Sequence, residues 1–183
     1  MIFLTLFSPG LFALNFGLNF EAGAFYGARQ VTDVDIKNIY GNGTVYFPYA
    51  AIVWHGVILG GGYEGGYSRS GKIGLYEEST SLTVKGYEFF LGYQFKVKIF
   101  APYFKVGYGS YSYKQTIESS FVGEYKVDHK KTTVTFGGGL KVYLLKNLYL
   151  AGEVRFVPLK VRPFEDEVDL GGLRILGGIG LSL

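Results

Sequence analysis

The sequence predicts an all-β chain, an eight-stranded antiparallel up-and-down transmembrane β-barrel, and three observations carry that expectation. The first is the stretch Leu173–Leu183. Every second residue there (Leu173, Ile175, Gly177, Ile179, Leu181, Leu183) is apolar or glycine, while Arg174, Gly178, Gly180 and Ser182 between them are small or polar and only Leu176 is greasy. That is the period of a strand with one apolar face. A barrel in a bilayer needs such a last strand, because it must pair with the first and leave no open edge. The second observation is that connections alternate long and short along the chain. The third is compositional: mean hydropathy is +0.19 although 18% of residues are charged, so apolar and charged groups are finely interleaved.

A chain of 183 residues is one domain by length. Its 28 glycines, 16 tyrosines and 16 phenylalanines exclude a disordered or linker-like polymer. The absence of cysteine excludes disulfides, Cys-zinc sites and a thiol nucleophile. A net charge of +3 without any Lys/Arg run gives no nucleic-acid footprint. Met1–Phe20 and Thr44–Tyr63 are uncharged and long enough to be weighed as membrane helices. Pro9-Gly10 breaks the first, and Pro48, His55-Gly56 and Gly60-Gly61-Gly62 interrupt the second, so strands and turns are expected instead. Ile2–Ala13 reads as the apolar core of a secretory signal, giving a signal remnant over 1–13 and a barrel domain over 14–183.

Strand one is expected over 14–29, with Leu18, Phe20, Ala22, Ala24 and Tyr26 outward and Asn19, Glu21, Gly23, Phe25 and Gly27 inward. A polar connection, 30–43, leads to strand two, 44–54, which is apolar on both faces and has no assignable inside. After a tight turn at His55-Gly56, strand three covers 57–69, with Tyr63 and Tyr67 on the outer face and Glu64, Gly66 and Ser68 on the inner. A polar connection over 70–81 follows. Strand four, 82–96, sends Tyr87, Phe89, Leu91, Tyr93 and Phe95 outward and Glu88, Phe90, Gly92 and Gln94 inward. A short link near 97–101 joins it to strand five, 102–114, where Phe104, Val106 and Tyr108 oppose Lys105, Gly107 and Gly109. The most polar connection, 115–130, precedes strand six, 131–144, with Lys141 inward. Lys146-Asn147 is a tight turn before strand seven, 148–160, in which Glu153 and Arg155 face in. A last polar connection, with Pro163, Glu165, Asp166, Glu167 and Asp169, leads to the closing strand.

The inward phase collects four acids, Glu21, Glu64, Glu88 and Glu153, and four bases, Lys105, Lys141, Arg155 and Arg174. An eight-stranded barrel is just wide enough for side chains to fill. Lone charges there would be costly and paired ones tolerable, so a plugged, ion-paired lumen is expected, with inward glycines making room for the long side chains.

This pattern, with Gly-Tyr pairs at 62–63, 92–93 and 107–108 and the greasy closing strand, resembles the small eight-stranded bacterial outer-membrane barrels typified by the membrane domain of OmpA and by OmpX. The resemblance covers nearly everything after residue 13. It implies a place in the outer membrane, a monomer among outer-membrane lipids and lipopolysaccharide, and insertion by the barrel assembly machinery. It implies a structural or surface-interaction role through four outer loops, which are where a surface ligand would bind. No cofactor, metal or nucleic acid is implied.

The same residues bear on two other classes. A soluble lipocalin-like carrier of an apolar ligand would put grease inside and charge outside, the reverse of this pattern. An outer-membrane lipid-modifying enzyme needs His with Ser or Asp at the rim. The two histidines are His55, in a turn, and His129, beside Asp128 in an outer loop with Ser119 and Ser120 one loop length away. Solvated loop residues explain that grouping, and two separated histidines make a poor metal site. Gly66–Lys72 has phosphate-loop spacing, but Ile73 stands where a magnesium-binding hydroxyl belongs. The triple glycines at 60–62 and 137–139 are expected inside strands, for close packing.

Overall fold

The computed structural model describes residues 17–119, 123–161 and 168–183. The expected signal segment, 1–13, lies outside them. Strands β1 (Leu18–Arg29), β2 (Gly43–Trp54), β3 (Val57–Ile73), β4 (Glu78–Gln94), β5 (Phe100–Ser119), β6 (Gly123–Tyr143), β7 (Leu148–Val157) and β10 (Gly172–Ser182) form one closed antiparallel barrel. Helix α1 (Val34–Tyr40) interrupts the first connection, and a small hairpin of β8 (Lys160–Val161) and β9 (Val168–Asp169) interrupts the last. β10 pairs with β1 from Glu21↔Ser182 to Arg29↔Arg174, and Phe20 and Leu183 exchange backbone hydrogen bonds of 2.8 Å, so the greasy final strand closes the ring.

The two-residue period decides which side chains face out. Phe89, Leu91, Val106, Phe136, Leu150, Val154, Ile175 and Ile179 are exposed, while their chain neighbours are buried or half-buried. This is a hydrocarbon-facing wall around a polar interior. β2, which carried no assignable face, turns Val45, Phe47, Ala51 and Val53 inward. Among the described residues no helix is long and apolar enough to cross a membrane, and Thr44–Tyr63 is two strands around a turn.

The short connections are tight. His55 (φ 48°) and Gly56 (φ 87°) are both left-handed, as a two-residue hairpin matched to strand twist requires. Val97 and Phe100 exchange backbone hydrogen bonds around Lys98-Ile99.

The long connections differ from the expectation. Most of 70–81 and 115–130 is strand: β3 and β4 pair out to Ile73↔Glu78, and β5 and β6 out to Ser119↔Gly123. Beyond the apolar band the outward face of each strand becomes polar, so the hydrocarbon-facing series stops while backbone pairing continues. β3–β6 therefore stand as a wall above the rest of the rim. The first connection holds α1, started by Asp33, whose carboxylate accepts from the amides of Asp35 and Ile36. Pro163, Glu165, Asp166 and Glu167 lie outside the described residues, and strand seven ends at Val157 instead of 160.

Two side chains change face. Tyr67, expected outward, is buried, and Ser68, expected inward, is exposed. The register against β4 shifts between Glu64 and Tyr67, where Gly65-Gly66 inserts one extra residue and Gly66 takes φ 93°. Such a bulge inverts the alternation beyond it.

Candidate functional site

The barrel interior gathers all eight charges of the inward phase, in three tiers. At the turn side, Lys141 of β6 donates to the Glu21 carboxylate of β1 and, at 2.7 Å, to Gln94 Oε1 of β4, while Tyr143 donates to Glu21 at 3.3 Å. In the middle, Glu153 of β7 accepts from Tyr103 at 2.8 Å, forms an ion pair with Lys105 at 2.9 Å, and receives Arg155 Nε and Nη2 at 2.8 and 2.6 Å. Arg155 Nη1 lies 3.7 Å from Glu88 of β4, which also accepts from Tyr111 at 3.3 Å. At the loop side, Arg174 of β10 donates to Glu64 of β3 at 3.1 Å and to the Gly172 carbonyl at 2.7 Å.

Aromatic rings fill the space between tiers. The Arg155 guanidinium lies 3.7 Å from the Phe47 ring centroid, and the Lys105 ammonium 4.5 Å from that of Phe90. Tyr49 and Tyr149 join their hydroxyls across the lumen. A void of about 10 Å³ lies between Phe25, Tyr49, Phe90 and Lys105, room for one water at most. The inward glycines are filled space: a Cβ on Gly62 would meet the Phe47 ring at 2.4 Å, and one on Gly107 would meet Glu88 Oε1 at 2.8 Å. The triple glycines lie in strands, as expected, and their inward members pack against lumen side chains.

Sequence reasoning missed a ninth charge. Arg29 ends β1 two residues beyond inward Gly27 and is fully buried. Its guanidinium lies 4.1 Å from the Tyr67 centroid and donates to the Leu170 carbonyl, while Nε and Nη1 have no hydrogen-bond partner among the described residues. Continuing the two-residue period past Gly27 would have found it.

Above Arg29 the interior turns apolar. Val31, Tyr40, Leu82, Val84, Tyr113, Val127, Leu159, Val161 and Leu170 belong to the buried cluster. α1 and the β8–β9 hairpin contribute to this layer over the loop-side mouth.

His129 and Asp128 are adjacent strand residues, so they point to opposite faces; the His129 ring sits 5.8 Å from that of Tyr113. Ser119 donates to Glu78 at 2.5 Å, six pairing positions further along the hairpin. Ser120 lies outside the described residues. Gly66–Lys72 is part of β3. Among the described residues no group of His, Asp or Glu has metal-site geometry.

The sequence matches the family model described as an outer membrane protein beta-barrel domain over residues 12–175. No curated protein matches it. Solved structures that share its fold include the following three. Outer membrane protein OprG of Pseudomonas aeruginosa is 9% identical with a TM-score of 0.64, covering 91% of this chain and 95% of that one. Ail, the attachment invasion locus protein of Yersinia pestis, is 15% identical with a TM-score of 0.58, covering 91% and 98%. The N-terminal barrel domain of OprF of P. aeruginosa is 16% identical with a TM-score of 0.57, covering 90% and 97%.

Proposed function

The chain belongs to the outer membrane protein beta-barrel domain family, and from that premise we propose that it is a membrane-anchored surface barrel whose lumen is plugged by its own ion pairs. It resides in the bacterial outer membrane. Its role is structural or surface-interacting and is carried by the loop-side end, with no enzymatic chemistry. The observation that carries this reading is the middle tier, where Glu153, Arg155, Lys105 and Glu88 meet at the centre of an eight-stranded ring. Porin-type aqueous channels need roughly 16 strands, and eight leave space for side chains alone. The lipocalin-like alternative is not favoured, since the exposed wall is apolar and the buried face charged.

Planar-bilayer recording tests the reading. The purified barrel should give no steady conductance of porin size, and rare small openings should grow when Glu153 or Arg155 is truncated. Large, stable, ion-selective steps from a monomer would overturn the plugged lumen.

A further inference from the structure

We propose that the outer wall of β1–β6 holds one phosphorylated acyl lipid of the outer leaflet, its headgroup between Lys85 and Lys130 and its hydrocarbon in the trough running from Tyr87 past Gly61 and Ala50. The inference rests on the outer-membrane placement and not on the plugged lumen.

Lys85 of β4 stands directly across from Ser112 of β5, and Ser112 directly across from Lys130 of β6. With strands ~4.8 Å apart, the two lysine backbones are about 10 Å apart and flank one hydroxyl. An open pocket of about 390 Å³ is lined by Lys85, Tyr87, Ser110, Ser112, Asp128 and Lys130. Lys114 projects from the next outward row, opposite Asp128. Three lysines thus meet one acid, and neither Lys85 nor Lys130 has an ion-pair partner among the described residues. Anionic oxygen is the complementary chemistry.

The pocket's floor is the top of the hydrocarbon-facing band. Tyr46, Tyr63 and Tyr87 form an aromatic row on the outer face, with ring centroids 5.9 and 5.1 Å apart, at the level where amphipathic rings meet headgroups. Tyr87 also lines a second groove of about 400 Å³, together with Tyr63, Phe89, Gly61, Ala50 and Pro48. That groove shares Ala50, Gly61 and Phe89 with a third, about 610 Å³, which continues to Phe20 and Leu183 at the turn side. The trough exists because β1, β2 and β3 place Ala22, Ala50 and Gly61 in one outward row, flanked by the bulk of Ile52, Leu59 and Phe89.

Either half alone would be ordinary. Acyl chains solvate any barrel wall, and lysines are common above an aromatic row. Their junction at Tyr87 selects a ligand that is anionic at one end and hydrocarbon at the other, lying in the outer leaflet.

Native mass spectrometry on the full refolded chain tests this. The probes are lipid A carrying both phosphates, the same lipid dephosphorylated, and inorganic pyrophosphate, with folded fraction checked by heat-modifiable electrophoresis. The wild type should retain one phosphorylated lipid A, at least tenfold more than the dephosphorylated form, and pyrophosphate at equal concentration should not displace it. Lys85→Glu/Lys130→Glu should lower retention at least tenfold, with Lys85→Gln/Lys130→Gln as the milder pair if reversal impairs folding. Ala50→Trp, which fills the trough without changing charge, should lower it at least fivefold. Equal retention by the charge variants, equal retention of the dephosphorylated lipid, or full displacement by pyrophosphate would each overturn the proposal. Porin-size conductance with lipid selectivity intact would sink only the plugged lumen.

Discussion

Arg29 of β1 and Arg174 of β10 stand directly opposite each other on the inner wall, at the loop-side end of the seam that closes the barrel. Arg155 of β7 is directly opposite Arg174 in the next pair, so three guanidiniums line adjacent strands. Like charges in register repel. The facing wall supplies the compensation: Glu64 of β3 takes Arg174, and Glu88 of β4, with Glu153, takes Arg155. Among the described residues Arg29 forms no ion pair and is held by a tyrosine ring and a carbonyl.

Arg155→Ala should therefore be among the most destabilising single changes in the lumen. It removes the ion-pair partner of Glu88 and leaves Glu153 paired with Lys105 alone in a low-dielectric interior, a cost of about 3–5 kcal/mol for breaking a buried pair. Lys126→Ala breaks an exposed pair of 2.7 Å and should cost at most about 1 kcal/mol, though its geometry is closer than the 3.7 Å Arg155–Glu88 contact. Urea titrations of the folded barrel in detergent compare them. Equal losses would mean the interior is wet enough to screen the network.

Arg29→Met should behave in the opposite way. It removes a buried cation without orphaning a carboxylate, and the thioether can occupy the space over Tyr67. Replacing buried charge by an apolar side chain of similar volume is often neutral or stabilising by ~1–4 kcal/mol. The same titration would refute this if the variant loses as much as Arg155→Ala, and Glu64 would then have to depend on Arg29 as well as on Arg174.

The barrel and its eight expected charges were legible because alternation and strand pairing share one period. Glu153 and Arg155, two residues apart, had to share a face whatever the exact ends of their strand. What was lost sat where that period is broken or ends. Tyr67 lies past a bulge that Gly65-Gly66 permits but alternation cannot announce. Arg29 is the last residue of the expected strand, next to the polar connection, and the inward series stopped one step short of it at Gly27. The β3–β4 and β5–β6 hairpins outrun the membrane, and their Ser, Thr, Tyr and Lys look like loop. α1 spans only seven residues, too few for a helical period, although Asp33 was in plain view as a cap.

Two glycine substitutions should separate inside from outside. A Cβ on Gly27 would lie 2.0 Å from the Ile175 carbonyl oxygen, backbone that cannot give way without opening the β1–β10 seam. A Cβ on Gly152 meets nothing within 4 Å on the lipid-facing wall. Gly27→Ala should cost at least the ~1–3 kcal/mol typical of overpacking. Gly152→Ala should be neutral or stabilise by about 0.4–1 kcal/mol through the unfolded chain. Midpoints of thermal unfolding, followed by heat-modifiable migration, order the two; a Gly27→Ala barrel as stable as wild type would place the seam elsewhere.

The seat of α1 should loosen in alkali. Tyr40, at the helix end, is buried above the lumen, and its hydroxyl sits in a directed chain. Gln115 Nε2 donates to it at 2.7 Å, and Thr80 donates to the Thr116 carbonyl at 3.0 Å, so the phenol must donate to Thr80 across their 2.8 Å contact. Burial raises the phenol above its ordinary value, and the hydrogen bond it accepts from Gln115 opposes that rise. A group whose folded value is raised contributes stability that is fully present below the unfolded value, ~10 for tyrosine, and is lost as pH rises through the folded one. Ionisation would remove the proton given to Thr80 and put a charge among apolar neighbours. Cleavage of the 30–42 connection by subtilisin should thus be slow and flat from pH 8 to 10 and accelerate above that in the wild type. Tyr40→Phe should be cleaved faster at pH 8, because Gln115 loses its acceptor, and should lack the alkaline acceleration. Identical pH profiles for the two proteins would mean that Tyr40 does not hold the helix down.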